Sequence, residues 1–250
     1  MAARQTGGLR AIPQAIGRGR DKVVHAARRR FPTVAVTGMT GVGKTELVEH
    51  LSGHGSPQSN DAGSAVMEKR MQRGHRFTGF RFRVVPGENA ATRLGALDDV
   101  FHDHPVDGVL HVVANGHATG RRAAGTTGVA AVTREDQLQR ELDDWTVTAH
   151  RIASMAVRRE HPIWLIIVVT KVDLYPDSID QVVRSYSPGS GTPFGDRLDE
   201  LRALAGGARL AIDVLPACSR LEGDSRIDKK TRDAYLDRLE MRMAQFSGHR

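Results

Sequence analysis

The sequence has little cysteine, few long apolar runs and, over its first 31 residues, almost no acid. Cys218 is the single cysteine among 250 residues. An intrachain disulfide is therefore impossible, and a cysteine-built metal centre is not expected. The longest apolar run, Ile163–Val169, has seven residues, against the roughly 20 that a membrane-spanning helix needs. The N-terminal stretch, with Gly7, Gly8, Arg10 and Pro13, lacks the apolar centre of a signal peptide. A hydrophobic share of 40% with 26% charged residues is ordinary for a globular chain and argues against wholesale disorder. The expectation is a soluble, cytoplasmic protein.

Charge is unevenly placed. Residues 1–31 hold eight basic residues (Arg4, Arg10, Arg18, Arg20, Lys22, Arg28, Arg29, Arg30) against one acid, Asp21, which equals the whole net charge of +7. The remaining residues carry 28 of each sign. The basic character belongs to an extension, 1–31, and not to the domain expected over 32–250. Ile16, Val23, Ala27 and Phe31 give the extension a near-helical apolar spacing, interrupted by Gly17 and Gly19. It reads either as a contact for RNA, an anionic lipid surface or a protein partner, or as a solubilising helix. Apart from Phe31 at its end, no Phe, Tyr or Trp accompanies the arginines to stack on bases.

From Thr33 onward, short apolar runs alternate with helical periods, the pattern of a mostly parallel α/β sheet. The expected strands are Thr33–Thr37, Gly79–Val85, Gly108–Ala114, Ile163–Thr170 and Arg209–Leu215, with a further one near Val66–Arg76. Leu138, Leu142, Trp145, Ala149, Ile152 and Ala156 share one helical face, and Thr133 stands where it can cap that helix. Phe194, Leu198, Leu201 and Ala205 mark a second helix, and Tyr235, Leu239, Met243 and Phe246 a third. These stripes are core. Leu51–Ser64 and Ser187–Gly195 read as loops, the latter flexible.

The chemistry-bearing segment follows the first strand. Gly38-Met39-Thr40-Gly41-Val42-Gly43-Lys44-Thr45 is a G-x-x-x-x-G-K-[ST] run between a strand and a helix. Its glycines let successive backbone N–H groups converge on phosphate oxygens at the positive end of a helix. Thr40, Gly41, Val42 and Gly43 would line that cradle. Lys44 would reach the outer phosphates, and the Thr45 hydroxyl would sit on Mg²⁺. A second segment, Thr170-Lys171-Val172-Asp173, ends the most apolar strand, where α/β sheets place ligands. Asp173 can accept the two N–H donors of a guanine edge, a pair that adenine lacks, while the Lys171 stem lies along the base. Ala217 and Cys218, after the last strand, can offer backbone N–H to the guanine carbonyl. A P-loop kinase or ATPase would leave Thr170–Asp173 unexplained.

In these segments the chain resembles the P-loop GTPases of the translation-factor-related class, with the Thr form of the guanine motif found in Era-like and dynamin-like members. Gly38–Thr45 matches the phosphate loop, Thr170–Asp173 the [NT]-K-x-D motif, and Ala217 the S-A-x element, with Pro216 in place of its Ser. The resemblance covers about residues 33–247. It implies a three-layer fold, a six-stranded, mostly parallel sheet flanked by helices, that binds GTP/GDP with Mg²⁺. Two departures stand out. Val84 takes the place of the Asp in D-x-x-G, leaving Gly87 to meet a γ-phosphate and Glu88 where a water-positioning Gln is usual. No threonine occurs from Glu46 to Phe77, so the family's switch threonine is missing, with Ser59, Ser64 and Thr78 as poor substitutes.

The catalytic candidates are therefore Lys44, Gly87 and Glu88. Two readings stay open: a slow GTPase acting as a nucleotide-dependent switch, or a GTP/GDP-binding regulatory module without turnover. The remaining polar clusters read as surface. His50 with His54 lacks the Glu of a zinc helix, and His102-Asp103-His104 falls in a connection before Pro105. Arg70, Arg73 and Arg76 with Arg81 and Arg83 could supply a cation, yet the alternation of the last two reads as the solvated face of a strand. Arg93 stands where a switch segment would lie.

Overall fold

The computed structural model describes residues 31–52, 67–70, 79–87, 90–118, 132–219 and 225–248. Glu88, Thr78, His54, Arg73, Arg76, Ser59, Ser64 and nearly all of the basic extension lie outside the described residues.

A strand buried on both faces needs helices above and below it, and the apolar runs here are arranged that way. The strands are β1 (Thr33–Thr37), β2 (Met67–Arg70), β3 (Arg81–Val84), β4 (Gly108–Val113), β5 (Ile163–Val169) and β6 (Leu210–Pro216). They form one six-stranded sheet in the order β2-β3-β1-β4-β5-β6. The five strands β3, β1, β4, β5 and β6 are parallel, and β2 pairs antiparallel to β3 at the edge. The helices are α1 (Lys44–Leu51), α2 (Ala90–Asp98), α3 (Arg134–Arg158), α4 (Ile179–Ser185), α5 (Pro193–Ala205) and α6 (Lys229–Phe246). A π-helical turn, Asp99–Asp103, continues α2. This is the three-layer α/β architecture expected from the sequence.

The two-residue period of the strands sorts their side chains into two cores. Val34 and Val36, Leu110 and Val112, and Trp164, Ile166 and Val168 pack with α1 and α6 through Leu47, Val48, Leu51, Leu239 and Met243. Ala35, Val109, Val113, Leu165, Ile167 and Val169 point the other way, onto α2, α3 and α5 through Leu97, Trp145, Ile152 and Leu198. An eight-residue helix such as α1 is not stable alone. Three fully buried aliphatic side chains, each contributing about 1.5–3 kcal/mol, hold it beneath the loop that it follows.

Several boundaries and environments differ from expectation. The strand expected over Gly79–Val85 runs over Arg81–Val84; of the one expected near Val66–Arg76, Met67–Arg70 is a strand and the rest lies outside the described residues. Arg83 is not on a solvated face. It is buried, because the helical turn after α2 covers that side of β3, and its Nη2 donates to Asp99 Oδ2 at 2.7 Å. Ser187–Gly195, expected as a loop, is a hydrogen-bonded turn whose last three residues already belong to α5. Gly189 N donates to Asp199 Oδ2 at 2.8 Å, Thr192 caps α5 through Gly195 N at 3.1 Å, and Gly195 itself lies in the helix. His102 and His104 engage separate carboxylates, Asp103 at 3.0 Å and Asp99 at 2.8 Å. Thr133 caps α3 as expected, in a reciprocal box with Asp136.

Candidate functional site

The segments singled out in the sequence follow β1, β3, β5 and β6, whose parallel pairing puts their carboxyl ends along one edge of the sheet. In the loop after β1, Gly38, Gly41 and Gly43 all have positive φ, at 128°, 81° and 96°. A side chain on Gly38 would also bring its Cβ to 2.3 Å from the Val112 carbonyl oxygen, so only glycine can turn there. Gly43 forms the N-cap of α1, and Lys44 and Thr45 occupy its first turn. The Lys44 side chain is buried, folded over the loop, and donates to Gly38 O at 2.7 Å and Met39 O at 2.9 Å. The Thr45 side chain is exposed. Thr40 Oγ1 is buried and pairs with nothing among the described residues.

Gly87 closes against this loop: a Cβ there would lie 2.5 Å from Thr40 N and 2.7 Å from Thr40 Oγ1. Its backbone therefore approaches the loop after β1 as closely as a glycine permits. Val84, three residues earlier, is buried among Val34, Val36 and Phe82 and offers no side-chain oxygen.

Thr170 joins the two halves of the site. Its buried Oγ1 lies 2.7 Å from Val42 O and 2.8 Å from Val113 O, so one hydroxyl proton is shared between the loop after β1 and the end of β4. Lys171 adopts φ 56°, and its Nζ donates to His117 O at 2.8 Å. The carboxylate of Asp173 accepts from Cys218 Sγ at 3.2 Å. Ala217 N donates to Val169 O at 2.8 Å, which stitches the loop after β6 to the end of β5. Of these residues, Asp173 and Cys218 are joined directly, and Ala217 is bonded to the residue that precedes Thr170.

Other parts of this surface were not singled out in the sequence. After β4, Asn115 and Gly116 turn the chain with φ 51° and 73°, an Asn-Gly signal that was legible as a turn. His117 then stacks on Tyr175 at 5.4 Å, and the Tyr175 hydroxyl donates to Thr170 O at 2.6 Å. Burial, with the Arg134 and Lys171 charges, lowers the His117 pKa. Beside the apolar face of α3 runs a polar stripe, Glu141, Asp144 and Thr148, whose spacing of three and four also stands in the sequence. Glu141 is buried and accepts from Ala114 N at 2.9 Å and from the Tyr186 hydroxyl at 2.7 Å, fixing the turn after β4. Burial raises its pKa, against the pull of those bonds.

Asp144 forms a buried ion pair with Arg93 of α2, and Arg93 Nη2 also reaches Thr148 Oγ1 at 3.5 Å. The helix that follows Gly87 is thereby pinned to α3. Burial raises Asp144 to about 6, with the Arg93 and Lys44 charges opposing. His111 of β4 is fully buried, and its Nδ1 lies 3.0 Å from Thr37 Oγ1, one residue before Gly38. Burial, then the charges of Arg93 and Lys44, bring it down to about 3, so the imidazole is neutral beneath the lysine.

No protein-family model matches the chain, and no curated protein sequence matches it. Solved structures do resemble it in chain path. The G domain of the T. maritima FeoB iron transporter is 16% identical over 87% of this chain and 99% of that one, with a TM-score of 0.45. The cytosolic domain of L. pneumophila FeoB is 12% identical over 86% of this chain and 68% of that one, with a TM-score of 0.47. A complex of SsGBP with GDP is 12% identical over 92% of this chain, with a TM-score of 0.45, and this chain spans 56% of it.

Proposed function

We propose that the domain from residue 32 onward binds a guanine nucleotide, GTP or GDP, and hydrolyses GTP slowly as a switch. The observation that carries this reading is the Thr170 hydroxyl between Val42 O and Val113 O. It ties a phosphate-type loop to the segment bearing Lys171 and Asp173, so that phosphates and base are served by one rigid span. The orphaned, buried Thr40 hydroxyl adds to this, since an anion in the loop would give it a partner. Gly41, Val42, Gly43, Lys44 and Thr45 would hold the phosphates. Lys44 would exchange its two backbone acceptors for phosphate oxygens, and Asp173 would accept the two N–H groups of the guanine edge.

Mg²⁺ would neutralise phosphate charge. Among the described residues Thr45 offers it an exposed hydroxyl, whereas Val84 offers nothing. A cation would therefore lean on the phosphates and water more than on the protein. The loss of one electrostatic support from a phosphoryl-transfer site can cost about 2–4 kcal/mol of barrier. Intrinsic turnover is accordingly expected to be slow, with Gly87 the candidate to donate its N–H and Glu88 the candidate to orient water. Val84 equally favours the second reading, a regulatory module that binds nucleotide without hydrolysing it.

Titration of the full chain with GDP, ADP and xanthosine diphosphate tests the base reading. GDP should bind at least about a hundredfold more tightly than ADP, because a site built for hydrogen bonds rejects a ligand lacking them. Asp173→Asn should invert the preference toward xanthine, and Lys44→Ala should abolish binding. Equal affinity for GDP and ADP would refute the reading. Single-turnover GTP hydrolysis separates the two alternatives, a measurable rate favouring the switch.

A further inference from the structure

Of the four residues Pro216–Ser219, which end β6 and begin the loop after it, Pro216 has neither a hydroxyl nor an N–H, and Ala217 has no polar side chain. Ser219 Oγ is buried and pairs with no group among the described residues. Cys218 is the residue that reaches Asp173. Its side chain is fully buried and its Sγ lies 3.2 Å from Asp173 Oδ1, across 45 positions of sequence. The loop carrying it is fixed to β5 by the bond from Ala217 N to Val169 O, and the loop carrying Asp173 is fixed by the Thr170 hydroxyl. The thiol therefore spans two independently anchored segments.

We propose that Cys218 is the positioning residue that sets the Asp173 carboxylate for the base, so that guanine selectivity depends on this thiol. The inference rests on the guanine reading given above. An ionised carboxylate has about four acceptor positions. A guanine edge uses two, and the thiol proton occupies another on Oδ1 without competing for the base. Asp173 is only half-buried, so without this donor its carboxylate can rotate toward water and must be reordered each time a base binds. The donor is neutral, which matters. A cationic donor would compete with the neutral base edge for the carboxylate, and an anion at this position would repel it. The buried Ser219 hydroxyl without a protein partner, next in the chain, is a second group in this loop that a bound base or its water would satisfy.

The test compares GDP and ADP affinities of the full-length wild type with those of Cys218→Ala and Cys218→Ser. Cys218→Ala should lose about tenfold in GDP affinity, about 1.4 kcal/mol, with ADP unchanged. Cys218→Ser, which keeps a donor, should stay within about threefold of the wild type. In an Asp173→Ala background the Cys218→Ala change should leave the GDP-to-ADP ratio where it was. If the alanine protein fails to fold, Cys218→Val, close in volume and without a donor, gives the same readout. An unchanged ratio in the donor-less variants, or an equal fall for both nucleotides, would overturn the proposal while leaving guanine binding intact. A wild type without preference for GDP would overturn the guanine reading and this proposal with it.

Discussion

Replacing His111 by Gln should change how the stability of this protein responds to acid, by an amount that follows from its burial. The ordinary histidine value is 6.5 and the buried ring of His111 is brought down to about 3. Between those values the unfolded chain binds a proton that the folded one refuses, so stability is lost as pH falls below 6.5. At pH 5 the gap of about 1.5 units is worth about 2 kcal/mol. Asp144 acts in the opposite sense. Its folded value is about 6 against an ordinary 3.8, so the folded state takes up the proton first and gains about 1.3 kcal/mol on going from pH 7 to pH 5. The two groups nearly cancel in the wild type, leaving a net loss of about 0.6 kcal/mol. His111→Gln removes the larger contribution and keeps the smaller. Any fixed cost of the substitution, including a weakened bond to Thr37, enters equally at both pH values. Urea unfolding followed by fluorescence of the buried Trp145 and Trp164 measures the difference. The variant should respond to acidification more favourably than the wild type by about 2 kcal/mol, on the order of 1 M in midpoint. Equal shifts in the two proteins would refute a neutral, buried imidazole beside Thr37.

The Arg93–Asp144 pair should behave as a buried ion pair whose partners cannot be removed singly. Asp144→Ala, which strands the guanidinium, should cost about 3–5 kcal/mol in the same unfolding experiment, and the Arg93→Met, Asp144→Leu double substitution should recover most of it; a single loss below about 1 kcal/mol would contradict the pinning of α2 to α3. Deletion of residues 1–31 should remove most binding to RNA or to anionic vesicles and leave GDP affinity unchanged, with the lost binding falling steeply between low and high salt. Salt-insensitive binding, or full binding by the truncated protein, would count against the basic extension as a polyanion contact.

Local spacing determined a large part of this protein. The glycines of Gly38–Thr45 require their positive φ angles within eight consecutive residues, and the apolar runs of β4 and β5 need cover on both faces wherever they sit. The stripe from Leu138 to Ala156 defines α3 by its period, and Thr133 caps it three residues from its partner. None of these needs a distant contact, so each is legible in order along the chain. What the sequence left undetermined are the pairings across tens of positions. Arg83 looked solvated because alternation on a strand says which side a residue faces, not what covers that side; the turn after α2 covers it and supplies Asp99. Arg93 with Asp144, His111 with Thr37 and Cys218 with Asp173 are separated by 51, 74 and 45 positions. A charge or a thiol acquires its chemistry from the groups that burial forces against it, and only the packing of α2 and α3 on the sheet, and of the β6 loop on the β5 loop, decides which groups those are.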